Sequence, residues 1–297
     1  MIGEFQLARL FDDAQALLDE GKLLHALQLY RRLTEAAPDN DVGWIQLSRV
    51  LMDLRKLGPA EEALRTAVRV SKRPAEILLL VGDFHFRSGE LSKALAFYRK
   101  ASLQEQSLTR SSRARLHFHW GLICRERGQS RVAEYHFRRA RAIDQALHRA
   151  SEALAEMLLH RGAAAEATHI LRRALAANPS NAPAHHLLGR ALAAGGRWEQ
   201  AYRAFTAAID KDPLQAASWH MCGEALLSLE NLEEAERYLA RAVELNPRCT
   251  EAYADFGELF LRRGDPNRAL SYFERALQLE PGNRKALWGK RKLSSSR

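Results

Sequence analysis

Small and apolar residues recur along the chain with a period of 34. An alanine marks the period at Ala26, Ala60, Ala94, Ala133, Ala167, Ala201, Ala235 and Ala269. Six of the seven intervals between these alanines are 34 residues, and the interval from Ala94 to Ala133 is 39. A fixed period of this length is typical of a repeat architecture, so we expect stacked copies of one supersecondary unit with five residues inserted near the middle.

Further columns of residues run parallel to the alanines. Twelve residues upstream of each alanine stands a small residue, in the order Ala14, Ser48, Gly82, Gly121, Ala155, Gly189, Gly223 and Gly257. Four residues downstream stands a large one, in the order Tyr30, Leu64, Tyr98, Phe137, Leu171, Phe205, Leu239 and Phe273. These spacings place the apolar positions on one helical face in each half of a unit, so each unit is predicted to be a pair of amphipathic helices. Glycine and proline between the halves and between the units favour turns there.

The columns resemble the tetratricopeptide repeat pattern, in which A-x3-F is followed by proline. Ala269 and Phe273 followed by Pro281 match it, as do Ala201 and Phe205 followed by Pro213. The resemblance implies an all-α, right-handed superhelical solenoid over residues 1–283. Eight repeats are assigned, at 7–40, 41–74, 75–108, 114–147, 148–181, 182–215, 216–249 and 250–283, with the insertion at 109–113. Residues 284–297 are expected to form a basic capping helix and tail, packed through Leu287 and Trp288.

The resemblance also implies where a partner binds. In this family the first helix of each pair lines a concave groove, and the second, fifth, ninth and twelfth places of each repeat face it. The residues expected to contact a peptide or helix of a partner protein are those at such places together with Arg87 beside Phe86, namely Arg49, Asp83, Phe86, Arg87, Phe118, Leu122, Arg125, Glu152, Glu156, His186, Arg190, His220, Glu224 and Glu258. The first half of this set is mainly apolar and basic, and the second half is mainly charged with a net acidic character.

Charge leaves a second function class open. The 297 residues carry a net charge of +9, and residues 41–147 hold 20 basic against 11 acidic side chains. Such a basic segment is compatible with a nucleic-acid-binding solenoid, for which Phe86 and Phe118 would be the stacking platforms. Residues 216–283 hold only 7 basic against 12 acidic side chains, which opposes a continuous track along phosphates. Nucleic acid is therefore the less favoured partner.

Other chemistry finds little support in the sequence. There is no Gly-x-Ser-x-Gly elbow, no phosphate loop and no CxxC motif, so we expect neither catalysis nor a cofactor. His186 and His220 share a groove place in consecutive repeats, but two histidines fall short of the three or four ligands of a metal site. The seven asparagines avoid the middle of the first helices, which argues against the carboxylate-clamp and asparagine-ladder grooves of this family.

The leading hypothesis is therefore a protein–protein interaction scaffold or adaptor. An accessory module of a glycosyltransferase or secretion complex stays open as an alternative. Three widely spaced cysteines and the lack of an apolar leader or membrane-spanning run predict a cytoplasmic protein without a membrane segment. The pattern assigns no oligomeric state.

Overall fold

A computed structural model describes residues 4–295 of the chain. These residues form seventeen α-helices and one short 3-10 helix, with no strand among them. The chain divides into two compact units, Met1–Asp144 and Gln145–Arg297. Unit 1 contains α1 (Glu4–Asp19), α2 (Leu23–Ala36), α3 (Asp41–Asp53), α4 (Leu57–Val70), α5 (Pro74–Arg87), α6 (Leu91–Ser102), the 3-10 helix (Glu105–Ser107), α7 (Arg110–Glu126) and α8 (Ser130–Ile143). Unit 2 contains α9 (His148–His160), α10 (Ala164–Ala177), α11 (Ala182–Ala194), α12 (Trp198–Lys211), α13 (Ala216–Ser228), α14 (Leu232–Leu245), α15 (Thr250–Arg262), α16 (Pro266–Leu279) and α17 (Arg284–Ser295).

The helices alternate as first and second members of pairs, as the columns predicted, and each pair closes on a small residue facing a large one. A Cβ atom placed on Gly257 of α15 would lie 2.4 Å from Cε1 of Phe273 on α16. Gly189 meets Phe205 in the same way, and Gly223 meets Leu239. The recurring alanines on the second helices are fully buried. The periodic columns are thus the sites where paired helices touch, and they form the core of each unit.

Tight turns join the two helices of each pair. Gly21 and Gly264 adopt positive φ angles of 75° in two of these turns. In two other pairs the equivalent residue is Arg55 or Glu230, each with a φ angle near 60°. In each of these turns a residue with left-handed backbone angles follows the first helix, and that residue is not always glycine.

The inserted residues lengthen a helix. Thr109 caps α7, with its Oγ1 accepting a hydrogen bond from the Ser112 backbone N–H at 3.2 Å. The carboxylate of Glu76 on α5 accepts from the Thr109 N–H at 2.7 Å and from the Ser112 hydroxyl at 2.6 Å. Residues 109–113 thus belong mostly to the first turn of α7. The two compact units separate further along the chain, between residues 144 and 145.

The terminal helix α17 packs on the last repeat through its smallest residues. Ala286 is fully buried, and a Cβ atom on Gly289 would lie 2.2 Å from Cζ of Phe273. Leu287 and Trp288, which were expected to be the packing residues, are instead 37% and 60% exposed. Phe273 already fills the space beneath α17, so only a residue without a side chain fits against it.

Candidate partner-binding surface

In unit 2 the first helices α9, α11, α13 and α15 carry a row of partly buried polar side chains. We call this row the unit 2 strip; its members occupy the fifth and ninth places of their repeats and are Glu152, Glu156, His186, Arg190, His220, Glu224 and Glu258. Side-chain hydrogen bonds join neighbouring first helices along it. The Nδ2 of Asn181, which caps α11, donates to Oε1 of Glu152 on α9 at 2.7 Å. Nδ1 of His186 on α11 lies 2.9 Å from Oγ of Ser218 on α13.

Asp255 lies at the centre of the charged end of the strip. It is 2% exposed, and its Oδ2 lies 2.8 Å from Nε2 of His220 on α13. Its Oδ1 lies 2.5 Å from Nζ of Lys285 on α17, and the same ammonium is 2.5 Å from Oε2 of Glu258. The buried carboxylate of Asp255 on α15 therefore links this helix to α13 and α17.

The pKa values of this cluster favour its charged forms. Burial raises the pKa of Asp255, but the hydrogen bond from His220 and the charge of Lys285 outweigh burial, so the pKa is lowered overall. Burial lowers the pKa of His220, and its hydrogen bond to Asp255 more than reverses that effect. The pKa of Lys285 is raised because the two carboxylates outweigh its desolvation. The cluster is thus an ion network that holds its geometry before any partner arrives.

Glu224 differs from its neighbours in the strip. Burial and the nearby negative charge of Asp255 raise the pKa of its carboxyl group. Its carboxylate makes no direct hydrogen bond or ion pair within the part of the chain that the structure describes. Glu258, one repeat further on, is compensated by Lys285 and Arg262, and its pKa is lowered despite its burial. Glu224 therefore has no direct counter-ion, although the charges of His220 and Lys285 partly offset its raised pKa, and a cation from outside would stabilise its carboxylate.

His186 contributes a neutral ring to the strip. Burial and the neighbouring charge of Arg190 lower its pKa to about 4. Its ring lies against Phe205 of α12, with the ring centroids 5.6 Å apart. At neutral pH this place is thus polar without being charged.

Unit 1 has a different arrangement at the equivalent places. Asp83 on α5 lies 2.7 Å from Nδ1 of His119 on α7, accepts from the Tyr98 hydroxyl at 2.8 Å and is 3.2 Å from Nε of Arg115. The ring of Phe86 stacks on His119 with 5.1 Å between centroids. Asp83 thus bonds both to the neighbouring first helix α7 and, through Tyr98, to the second helix α6.

The models of one family match along both units. Tetratricopeptide repeat models match residues 45–107, 158–205, 192–256 and 250–283, which together make up more than half of the chain. The chain belongs to the tetratricopeptide repeat family. Members of this family generally mediate protein–protein interactions and are typically non-catalytic scaffolds.

Relatives of known sequence or structure agree with this membership. The TPR repeat-containing protein MJ1428 of Methanocaldococcus jannaschii is 31% identical over 90 residues, which are 30% of this chain and 16% of that protein. This chain therefore matches only about a sixth of that relative's length. The solved structure of the Cut9–Hcn1 hetero-tetramer of APC/C has a TM-score of 0.63 at 17% identity, covering 96% of this chain and 55% of that chain. Pseudomonas aeruginosa PilF has a TM-score of 0.61 at 17% identity, covering 75% of this chain and 97% of its own. YrrB, described as a TPR protein with an unusual peptide-binding site, has a TM-score of 0.50 at 18% identity, covering 59% and 91%. The TM-scores show that this chain shares its fold with these structures.

The structure separates the groove residues predicted from the repeat pattern into accessible and buried groups. Arg49, Arg87 and Arg125 are exposed, and Leu122 is partly buried. Phe118 is 4% exposed and packs on Phe137, so it is a core residue of its repeat rather than an accessible anchor. This placement corrects the expectation that Phe118 contacts a partner.

Sequence reasoning missed three groups that shape the surface. Asp255 and His119 both occupy the sixth place of their repeats, which the family pattern does not assign to the groove. Lys285 lies beyond the last assigned repeat. A signal for it was available, because the 34-residue period continues past residue 283 and gives Lys285 the second place of a further first helix.

Several polar and sulfur-containing residues belong to the core. His85, His117, Cys124 and Cys222 are all buried. Within residues 4–295, no group of three or more His, Cys, Asp or Glu side chains could hold a metal ion. Among the helices of that same stretch, none combines the length and apolar character needed to cross a membrane.

Proposed function

We propose that this chain is a protein–protein interaction scaffold that binds an extended or helical segment of a partner protein along the unit 2 strip. The observation that carries the proposal is Glu224, a partly buried carboxylate that makes no direct hydrogen bond or ion pair within the described residues. A lysine or arginine of the bound segment would supply the missing counter-charge. The ends of the strip are already ordered, so binding there costs little reorganisation.

Two relatives of the same fold support a role in binding other proteins. One is described by its peptide-binding site and another as part of a hetero-tetramer. The proposal includes a cytoplasmic location, with which the three unpaired cysteines agree. It includes no catalytic step and no cofactor.

The nucleic-acid hypothesis is the weaker of the two for this surface. Phe118 is buried and one face of Phe86 is stacked on His119, so the two rings do not form a continuous open platform for bases. The exposed arginines of unit 1 could still attract phosphate. Titrating the chain with generic RNA over a range of salt concentrations tests this alternative, because phosphate contacts weaken steeply with salt.

A selection of peptides on the intact chain tests the proposed function. Random peptides displayed on phage are enriched against the full-length protein, and the affinities of the enriched peptides are measured for it and for variants. Glu224→Gln with Glu156→Gln should weaken binding by about tenfold or more, because both acceptors of basic side chains are neutralised. Arg131→Ala with Arg138→Ala, on the second helix α8, is the matched control and should leave the affinity unchanged.

The opposite pattern would overturn the proposal. If the arginine substitutions lower the affinity and the glutamate substitutions do not, the second helices form the binding surface. Circular dichroism and thermal unfolding of each variant keep loss of binding distinct from loss of fold.

A further inference from the structure

Helix α17 continues the row of first helices in unit 2. It packs beside α15 through the bonds of Lys285 to Asp255 and Glu258, as α15 packs beside α13 through Asp255 and His220. Counting the 34-residue period onward from Ala254 and Glu258 gives Trp288 the fifth place and Lys292 the ninth. Those are the places that the unit 2 strip occupies on the preceding helices. Helix α17 therefore extends the row of first-helix places that forms the unit 2 strip.

The side chains at these places are exposed and basic. Trp288 is 60% exposed, and the Nζ of Lys292 lies 5.1 Å from the centroid of its indole ring. Residues 284–295 carry five basic side chains and no acidic one, namely Arg284, Lys285, Lys290, Arg291 and Lys292. An exposed indole ring beside a lysine suits an apolar group with an adjacent anion.

The geometry points to α17 as the anchoring site for an acidic end of the bound segment: an apolar side chain packs on Trp288, and a carboxylate beside it pairs with the Lys292 ammonium. The carboxylate can be an Asp or Glu side chain or the free C-terminus of the partner. This inference rests on the proposed function and adds a direction to it. Basic residues of the segment lie over Glu224 on α13, and acidic residues lie over α17, so opposite charges at the two ends fix the register.

Charge and area favour a peptide over other occupants of α17. A membrane surface requires a broad apolar face, whereas this helix exposes only Leu287 and Trp288 among its large apolar residues within the described range. A second copy of the chain would have to present an acidic surface, and α1 does carry Asp12, Asp13 and Asp19. A contact of α1 with α17 would by itself leave Glu224 without a counter-charge. A single segment with both charges complements both ends at once.

The test uses peptides enriched by display on the full-length chain. Enriched sequences are expected to carry an aromatic or aliphatic residue followed by a carboxylate on one side of their basic residues. Trp288→Ala should raise the Kd by about tenfold or more, with an unchanged melting temperature because the side chain is exposed. Leu214→Ala, which removes another strongly exposed apolar side chain of unit 2, is the matched control and should have no effect. Lys292→Glu should weaken binding, and replacing the acidic residue of the peptide by lysine should restore it.

The outcomes separate this inference from the proposed function. Peptides that depend on Glu224 but bind Trp288→Ala and Lys292→Glu normally would overturn the role of α17 and leave the strip intact. Peptides that depend on Trp288 but not on Glu224 would overturn the strip. Vesicles of phosphatidylcholine with phosphatidylserine are tested in parallel, as is sedimentation of the chain alone. Trp288→Ala could abolish vesicle binding or self-association and leave peptide binding unchanged. That result would assign α17 to the membrane or to a second copy of the chain and refute the inference.

Discussion

Lys285 Nζ lies 2.5 Å from Oδ1 of Asp255, a carboxylate that is 2% exposed. The terminal helix is thus held to the last repeat by an ion pair as well as by the contact of Gly289 with Phe273. Removing one partner of a buried pair leaves the other charge without compensation in a low-dielectric site.

The first prediction concerns this ion pair. Lys285→Met should lower the free energy of unfolding by about 1–3 kcal/mol, because Asp255 then retains only His220 as its counter-charge. Asp255→Asn in the same background should recover part of the loss. Urea unfolding of the four proteins in this cycle measures the coupling between the two residues, and strictly additive effects would show that the pair contributes nothing.

The second prediction concerns the contact of small with large residues inside a pair. Gly257→Ala should destabilise the protein by about 1–3 kcal/mol, because the new Cβ atom would lie 2.4 Å from the ring of Phe273. Gly58→Ala on α4 is the matched control. No atom lies within 4 Å of its Cβ position, so it should stabilise the helix by about 0.5–1 kcal/mol. Equal effects of the two substitutions on the melting temperature would contradict the packing assigned to the columns.

The third prediction is an acid sensitivity of unit 1. Burial, reinforced by His117, lowers the pKa of His136 to about 4, and its Nδ1 lies 2.9 Å from Nδ1 of His117. The unfolded chain takes up this proton near pH 6.5 and the folded chain only near pH 4, so stability is lost as the pH falls through that window. The loss attributable to His136 is at most about 3 kcal/mol.

Substitution of the ring isolates this effect. His136→Phe keeps the stacking on Trp120, whose ring centroid lies 4.5 Å away, but cannot be protonated. Hydrogen exchange of α7 and α8 across that pH range should show a shallower decline in protection for the variant. Parallel declines in the variant and the natural protein would remove His136 as the cause.

The fourth prediction concerns the cap. Gly289→Ala should displace α17 from Phe273 and lower the melting temperature, and ending the chain at Gly282 should lower it further or cause aggregation. Both changes uncover the apolar face of α16. A truncated protein that stays monomeric with an unchanged melting temperature would show that α17 is dispensable for stability.

The repeat columns predicted the helices and their pairing because the information is local. Gly189 and Phe205 lie 16 residues apart, and the small-to-large match recurs in each unit of the sequence, so its period reveals both the helices and their contacts. The positions of the turns followed in the same way, including those where Arg55 and Glu230 replace glycine.

The details of the surface were less predictable because they depend on contacts between repeats. His220 and Asp255 are 35 residues apart and occupy different places of their repeats, so no column pairs them. Phe118 was expected to be accessible, and its burial follows from packing on Phe137 that the pattern of first-helix places does not encode. Trp288 was expected to pack because it is large and apolar, whereas the room beneath α17 admits only Gly289.

The central claim, that the first helices of unit 2 bind a partner segment, is tested most directly by hydrogen–deuterium exchange of the full-length chain with and without an enriched peptide. Exchange should become slower in α11, α13, α15 and α17 and stay unchanged in the second helices α10, α12, α14 and α16. Protection confined to the second helices would contradict it.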